Sequence, residues 1–203
     1  MIKQTNSVLI SIKLFMSLLC FTGLMLSGCS SSQTAISKYQ TSYNFSEVES
    51  YTFYDRNSDF SDLQNISDAT RNNIELAIEQ VLDKKGFKYR IEDEADIIVT
   101  YHMFSGNNKE FLRYNKGVTY CSGCLRGGEA AGNKKAWKVI PGSLIVDVID
   151  PNNKRSVWRS VYYLKLNAEK DNSKDTQVKI NQAIDAMMNQ LPHSREQDKA
   201  NNA

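Results

Sequence analysis

The chain has 203 residues, with 25 Lys and Arg against 23 Asp and Glu, four Cys and two His. That length suits one domain of ordinary size, able to bury a core without disulfide support. The near-neutral balance leaves no electrostatic footprint for nucleic acid, and two histidines supply general acid–base chemistry thinly.

Lys3 and Lys13 come before an apolar run, Leu14 to Leu26, broken by Ser17, Cys20, Thr22 and Gly23. A basic start, a short apolar segment and small residues mark an export signal. The run is shorter than the roughly 20 residues a spanning helix needs. Leu26-Ser27-Gly28-Cys29 resembles the lipobox of bacterial lipoproteins. The resemblance implies that residues 1–28 are a signal peptide cut before Cys29, which then carries lipid. Of 203 residues, 28 would leave and 175 remain; Lys3 and Lys13 go with the signal, leaving 23 basic and 23 acidic side chains. Two or more acyl chains, at about 0.8 kcal/mol per buried methylene, give lasting attachment. Ser30 stands where an Asp would favour inner-membrane retention, so the resemblance points to the outer membrane, periplasmic side. Residues 29–37 read as lipidated Cys and tether. Its polar part, residues 30–36, reaches about 25 Å when fully extended, which keeps the domain close to the bilayer.

Tyr39 to Phe45 and Tyr51 to Tyr54 are rich in aromatics and Thr, which favours strands. Asp55 to Asn65 is polar and turn-like. Ile74, Ala77, Ile78, Val81 and Leu82 recur at helical spacing, with Asn65 or Ser67 to cap the start and Gly86 to stop the end. Phe87 to Ile91 reads as a short strand and Ile97 to Tyr101 as a stronger one. Residues 105–136 are glycine-rich and polar and read as a long loop, with a weak hairpin near Tyr114 to Tyr120. Lys134, Lys135 and Lys138 read as a solvated edge. Ser143 to Asp150, the turn Pro151 to Lys154 and Ser156 to Leu166 form an antiparallel hairpin. Leu144, Val146 and Val148 share one face of the first strand, and Trp158, Tyr162, Leu164 and Leu166 one face of the second. A second helix presents Ile180, Ala183, Ile184, Met187, Met188 and Leu191 before Pro192 ends it. Residues 193–203 read as a disordered tail. The expected fold is α+β in two layers, a mainly antiparallel sheet with two amphipathic helices on one face, in a single domain over 38–192.

The ordered set carries a resemblance. It runs from the lipobox through Phe45 and Tyr51 to Tyr54, a helix ending Lys85-Gly86-Phe87, and Ala95 to Tyr101. It continues with Gly142 to Asp147, Asp150, Val157-Trp158-Arg159 and a closing helix ending Leu191-Pro192. This resembles the bacterial lipoprotein family called domain of unknown function 4136. The resemblance implies a periplasm-facing lipoprotein and supplies no established activity or catalytic residues. Ser160 stands where a Gly would be expected after the Trp-Arg pair, and the cysteine pair of the loop lies outside the pattern.

Cys121-Ser-Gly-Cys124 is the most chemically loaded motif. A redox dithiol would want a helix start to lower its first thiol pKa, and Leu-Arg-Gly-Gly follows instead. A c-type haem site needs His where Leu125 stands. A zinc site has half its ligands, with His102 and His193 the only histidines. In an oxidising periplasm the leading expectation is a local disulfide between Cys121 and Cys124. Trp158, Tyr51, Tyr54, Tyr101, Tyr162 and Tyr163 read as core, with an aromatic ligand groove as the alternative. Asp147 and Arg159 are expected to pair across the hairpin and Asp150 to shape its turn. Glu92, Asp93, Glu94 and Asp96 read as a solvated turn, because calcium-loop spacing is missing. No local Ser-His-Asp signature or phosphate loop is present. The expectation is a non-enzymatic, lipid-anchored outer-membrane lipoprotein without cofactor or metal. It would act as an accessory or interaction module meeting an envelope protein, peptidoglycan or lipid, with 105–136 as its contact surface. The alternatives are a thiol-redox or metal-binding protein using Cys121 and Cys124, and a small-ligand carrier.

Overall fold

The structure is a computed structural model that describes residues 34–56, 60–64, 66–125, 139–166 and 173–192. The signal, Cys29, most of the tether, Asn65, Lys134, Lys135, Lys138, His193 and the tail lie outside the described residues.

Among the described residues, six strands and three helices make a mixed α/β fold. In chain order they are β1 (Ile36–Tyr39), β2 (Ser50–Phe53), α1 (Asp68–Lys84), β3 (Lys88–Tyr89), β4 (Ile97–Phe104), α2 (Asn108–Gly117), β5 (Ser143–Asp150), β6 (Arg155–Tyr163) and α3 (Ser173–Met188). The open sheet runs β1-β6-β5-β4-β2-β3. The β1–β6, β6–β5 and β5–β4 pairs are antiparallel. The β4–β2 and β2–β3 pairs are parallel. Parallel neighbours cannot be joined by a tight hairpin, and α1 supplies the return between β2 and β3.

Helix α1 begins where the Ser67 side chain accepts from the Thr70 amide. It ends before Gly86, whose φ of 88° no residue with a β-carbon adopts cheaply. Ile74, Ala77, Ile78, Val81 and Leu82 are all buried along it. Each fully buried large aliphatic side chain contributes about 1.5–3 kcal/mol.

Strand alternation divides the apolar residues into two clusters. One joins Tyr51, Val99, Tyr101, Leu144, Val146, Val148 and Trp158 to the apolar faces of α1 and α3. The other joins Ile98, Phe104, Ile145, Ile149 and Val161 to Tyr114 and Val118. Central strands β4 and β5 are therefore buried on both faces and read as near-continuous apolar runs.

Four expectations need correction. First, residues 108–117 of the stretch read as loop form helix α2, and no hairpin forms at Tyr114 to Tyr120. Asn107 caps this helix, its Oδ1 accepting from the amides of Lys109 at 3.0 Å and Glu110 at 3.5 Å, while its Nδ2 donates to Glu110 Oε1 at 2.8 Å. Phe111, Tyr114 and Val118 then fall on one face. Gly117 lets that face approach closely, because a β-carbon there would lie 2.7 Å from Leu63 Cδ1. Second, the first strand is Ile36–Tyr39, overlapping the expected tether, while Phe45–Glu47 is a short 3-10 helix. Tyr43 and Phe45 meet edge to face at 4.8 Å there instead of extending a strand. Third, β3 keeps only Lys88–Tyr89 of the expected Phe87 to Ile91. Fourth, β6 ends at Tyr163, so Leu166 lies beyond the strand and is exposed, while Trp158, Tyr162 and Leu164 keep to the expected face. Among the described residues no helix is long and apolar enough to cross a membrane.

Candidate functional site

The hairpin β5–β6 builds a buried polar node. Register places Asp147 opposite Arg159, and the ladder shifts between Val148 and Ile149, so that Ser156 pairs Ile149 and Trp158 pairs Val148. Val157 is the extra residue of this bulge. Without it Ser156 and Arg159, three apart, would point to opposite faces; with it both reach Asp147. Arg159 Nε donates to Asp147 Oδ1 at 2.9 Å and Oδ2 at 3.0 Å. Ser156 Oγ donates to Oδ1 at 2.5 Å, and Tyr114 of α2 donates to Oδ2 at 2.8 Å. Arg159 Nη1 donates to Asn115 Oδ1 at 2.8 Å. The Tyr120 ring centre lies 3.6 Å from Arg159 Cζ, while Nη2 is buried without a hydrogen-bond partner among the described residues. Burial works against the Arg159 charge, but Asp147 beside it holds the proton more firmly than usual.

His102 stacks on Tyr114 with ring centroids 4.5 Å apart. Its Nδ1 lies 2.7 Å from the Leu63 carbonyl, which only accepts, so Nδ1 carries the proton. Burial is the main cause that lowers its pKa. It is a packed histidine here, not one presented to an open cleft.

Two further polar chains leave β4. Tyr101 donates to Glu75, which also holds Arg56. On the opposite face Gln64 donates to Thr100 at 3.2 Å and accepts from the buried Arg71. Arg56 and Arg71 share a hollow of about 480 Å³ with Ser61, Asp62, Ile66, Ser67 and Asp68.

A larger concavity, about 900 Å³, lies between the β5–β6 turn and the 92–96 segment. Its rim carries Glu47, Asp93, Glu94, Asp96 and Asp150 against Lys154. Asp96 is engaged: it accepts from the amides of Glu49 and Ser50 and from Ser50 Oγ, at 3.0, 2.9 and 2.7 Å. Burial opposes its charge, yet these donors win and lower its pKa. Asp150 shapes the turn as expected, accepting from Asn152 N at 2.9 Å and Asn153 Nδ2 at 2.6 Å. Tyr43, on the same wall, is pushed up to about 12 by burial and then by Asp150 and Asp96. Among the described residues no group of three or more His, Cys, Asp or Glu is placed to hold a metal ion.

Of the aromatics, Tyr51, Tyr101 and Trp158 are core residues, Tyr162 and Tyr163 are half-buried, and Tyr54 lines the larger concavity. Cys121 and Cys124 are joined by a disulfide with Cα atoms 5.2 Å apart. Ser160 meets Ser37 of β1, whose Oγ donates to it at 2.8 Å. Sequence reasoning misses Tyr114, Asn115, Glu75, Gln64 and Arg71. The Asn107-x-x-Glu110 cap is the available signal for the first two.

Sheet order and the buried node define a mixed α/β domain with an open, mostly antiparallel sheet. The chain belongs to the family described as Domain of unknown function (DUF4136), whose model matches residues 36–193. It is similar to a DUF4136 family protein from Bacteroides thetaiotaomicron, with 14% identity and a TM-score of 0.51 over 79% of this chain and 96% of that one. A PDZ domain protein from Parabacteroides distasonis is similar at 13% identity and TM-score 0.40, over 74% of this chain and 34% of that one. The PelC dodecamer from Paraburkholderia phytofirmans is similar at 8% identity and TM-score 0.36, over 76% of this chain and 96% of that one. No curated protein matches the chain.

Proposed function

We propose that this chain is a lipid-anchored lipoprotein of the outer membrane, facing the periplasm, and acts as a non-enzymatic accessory or interaction module. The export signal and the Leu26-Ser27-Gly28-Cys29 lipobox support the anchor. The observation that carries the non-enzymatic reading is the Asp147–Arg159 node. This charged pair is sealed at 0% and 1% side-chain exposure, and its carboxylate is committed to Tyr114 and Ser156 as well. Such an arrangement specifies a fold rather than presenting a reacting group. In this reading α1 and α3 form one layer on the sheet, and α2 with residues 118–125 covers the other face and offers the contact surface.

The test is the intact mass of the mature protein from outer-membrane fractions. A start at Cys29 with added acyl mass supports the anchor; an unmodified residue 29, or an uncut chain, overturns it. For the interaction role, substitutions on the exposed side of α2, such as Leu112→Ser, should remove a co-purifying envelope protein. An unchanged set of partners would reject that surface.

A further inference from the structure

The disulfide is placed where it can control the buried arginine. Residues 120–125 form a strap with an anchor at each end. At one end Tyr120 lies over Arg159, and its amide donates to the Asn115 carbonyl at 2.8 Å. At the other end Leu125 is 2% exposed. Between them Cys121 and Cys124 are bonded, themselves part-exposed, with Ser122 and Gly123 facing solvent. Behind the Tyr120 ring, Arg159 Nη2 is buried and has no hydrogen-bond partner among the described residues.

From this geometry we infer that Cys121–Cys124 is a redox latch: a dithiol that reduces it frees Tyr120 and uncovers the Arg159 guanidinium. The exchange balances. A dithiolate sulfur attacks one cysteine sulfur, the second reductant thiol resolves the mixed disulfide, and two electrons and two protons pass to the cysteines. The reductant leaves as its own disulfide. The four-residue ring contributes little to global stability by loop entropy, so its opening acts locally. The β5–β6 ladder and the Asp147 bonds do not pass through it.

The test labels the full chain with phenylglyoxal, oxidised or reduced with dithiothreitol, and reads Arg159 by peptide mass. Amide exchange of β5 is followed in the same samples. Reduction should raise Arg159 labelling by about tenfold while β5 exchange stays unchanged, as local opening requires. The Cys121→Ser/Cys124→Ser variant should match the reduced protein. Tyr120→Ala should expose Arg159 with the disulfide intact. Equal labelling in both redox states, or exposure only together with β5 exchange, overturns the latch. Unchanged labelling in Tyr120→Ala overturns the role given to that ring.

Discussion

Asp147 and Arg159 stand opposite each other on neighbouring strands, joined by a forked contact from one Nε to both carboxylate oxygens. Removing one partner of a buried ion pair leaves an uncompensated charge, at a cost of about 3–5 kcal/mol. Arg159→Met should therefore lower unfolding stability by about that amount. Adding Asp147→Leu should restore part of the loss, because the orphan charge goes too. Urea denaturation of the parent, the single and the double variant checks this. A single variant as stable as the parent would show that the pair is not sealed as described.

His102 sets a pH dependence. Its folded pKa lies below the ordinary 6.5, first through burial, with Arg159 adding to the effect. The unfolded chain therefore takes up the proton first as pH falls. The contribution is present above pH 6.5 and lost as pH drops from there toward the lower folded pKa. The urea midpoint should fall between about pH 7.5 and about pH 5.5, and less so in His102→Gln. Identical slopes in the two proteins would reject the assignment.

Asp96 acts in a lower window. Burial alone would raise its pKa, but the Ser50 hydroxyl and the Glu49 and Ser50 amides outweigh it and hold the value below 3.8. That stability is present above 3.8 and lost as pH falls through the folded value. Asp96→Asn should flatten the acid limb below about pH 4 without touching the His102 window. An acid limb that keeps the parent's slope would assign it to other carboxylates.

Helix α1 and the β5–β6 hairpin are legible in the sequence because each carries many apolar residues at one clear period. The shared face of Asp147 and Arg159 follows from alternation beside Val148 and Trp158. Their direct pairing does not follow from counting across the turn, which would put Trp158 opposite Asp147 without the extra residue Val157. The burial of the pair does not follow either, since the cover is α2, in which Tyr114 alone is fully buried, with a half-buried Phe111 and, just past the helix end, Val118, among lysines, asparagines and an exposed Leu112. Gly117, one of the glycines that make 105–136 read as a loop, instead permits close approach to Leu63 and Phe60. β1 stays hidden because four residues with Ser37 and Lys38 among them make no pattern. The parallel β4–β2–β3 order depends on contacts between strands distant in sequence, which periodicity does not encode.

The two capped helices give a paired prediction. Ser67 caps α1 through the Thr70 amide, and Asn107 caps α2 through the Lys109 and Glu110 amides. Replacing either with Ala costs about 1 kcal/mol. The consequences should differ by location. α1 packs its buried face into the same cluster as α3 and the sheet, so Ser67→Ala should appear as a small global loss. α2 is ten residues long and is held mainly by its Phe111, Tyr114 and Val118 face. Asn107→Ala should therefore speed amide exchange within α2 while β5 stays protected. Hydrogen exchange on both variants separates these outcomes. If Asn107→Ala loosened α2 and β5 together, α2 would belong to the same cooperative unit as the sheet, and its cover over Arg159 would open only with global unfolding.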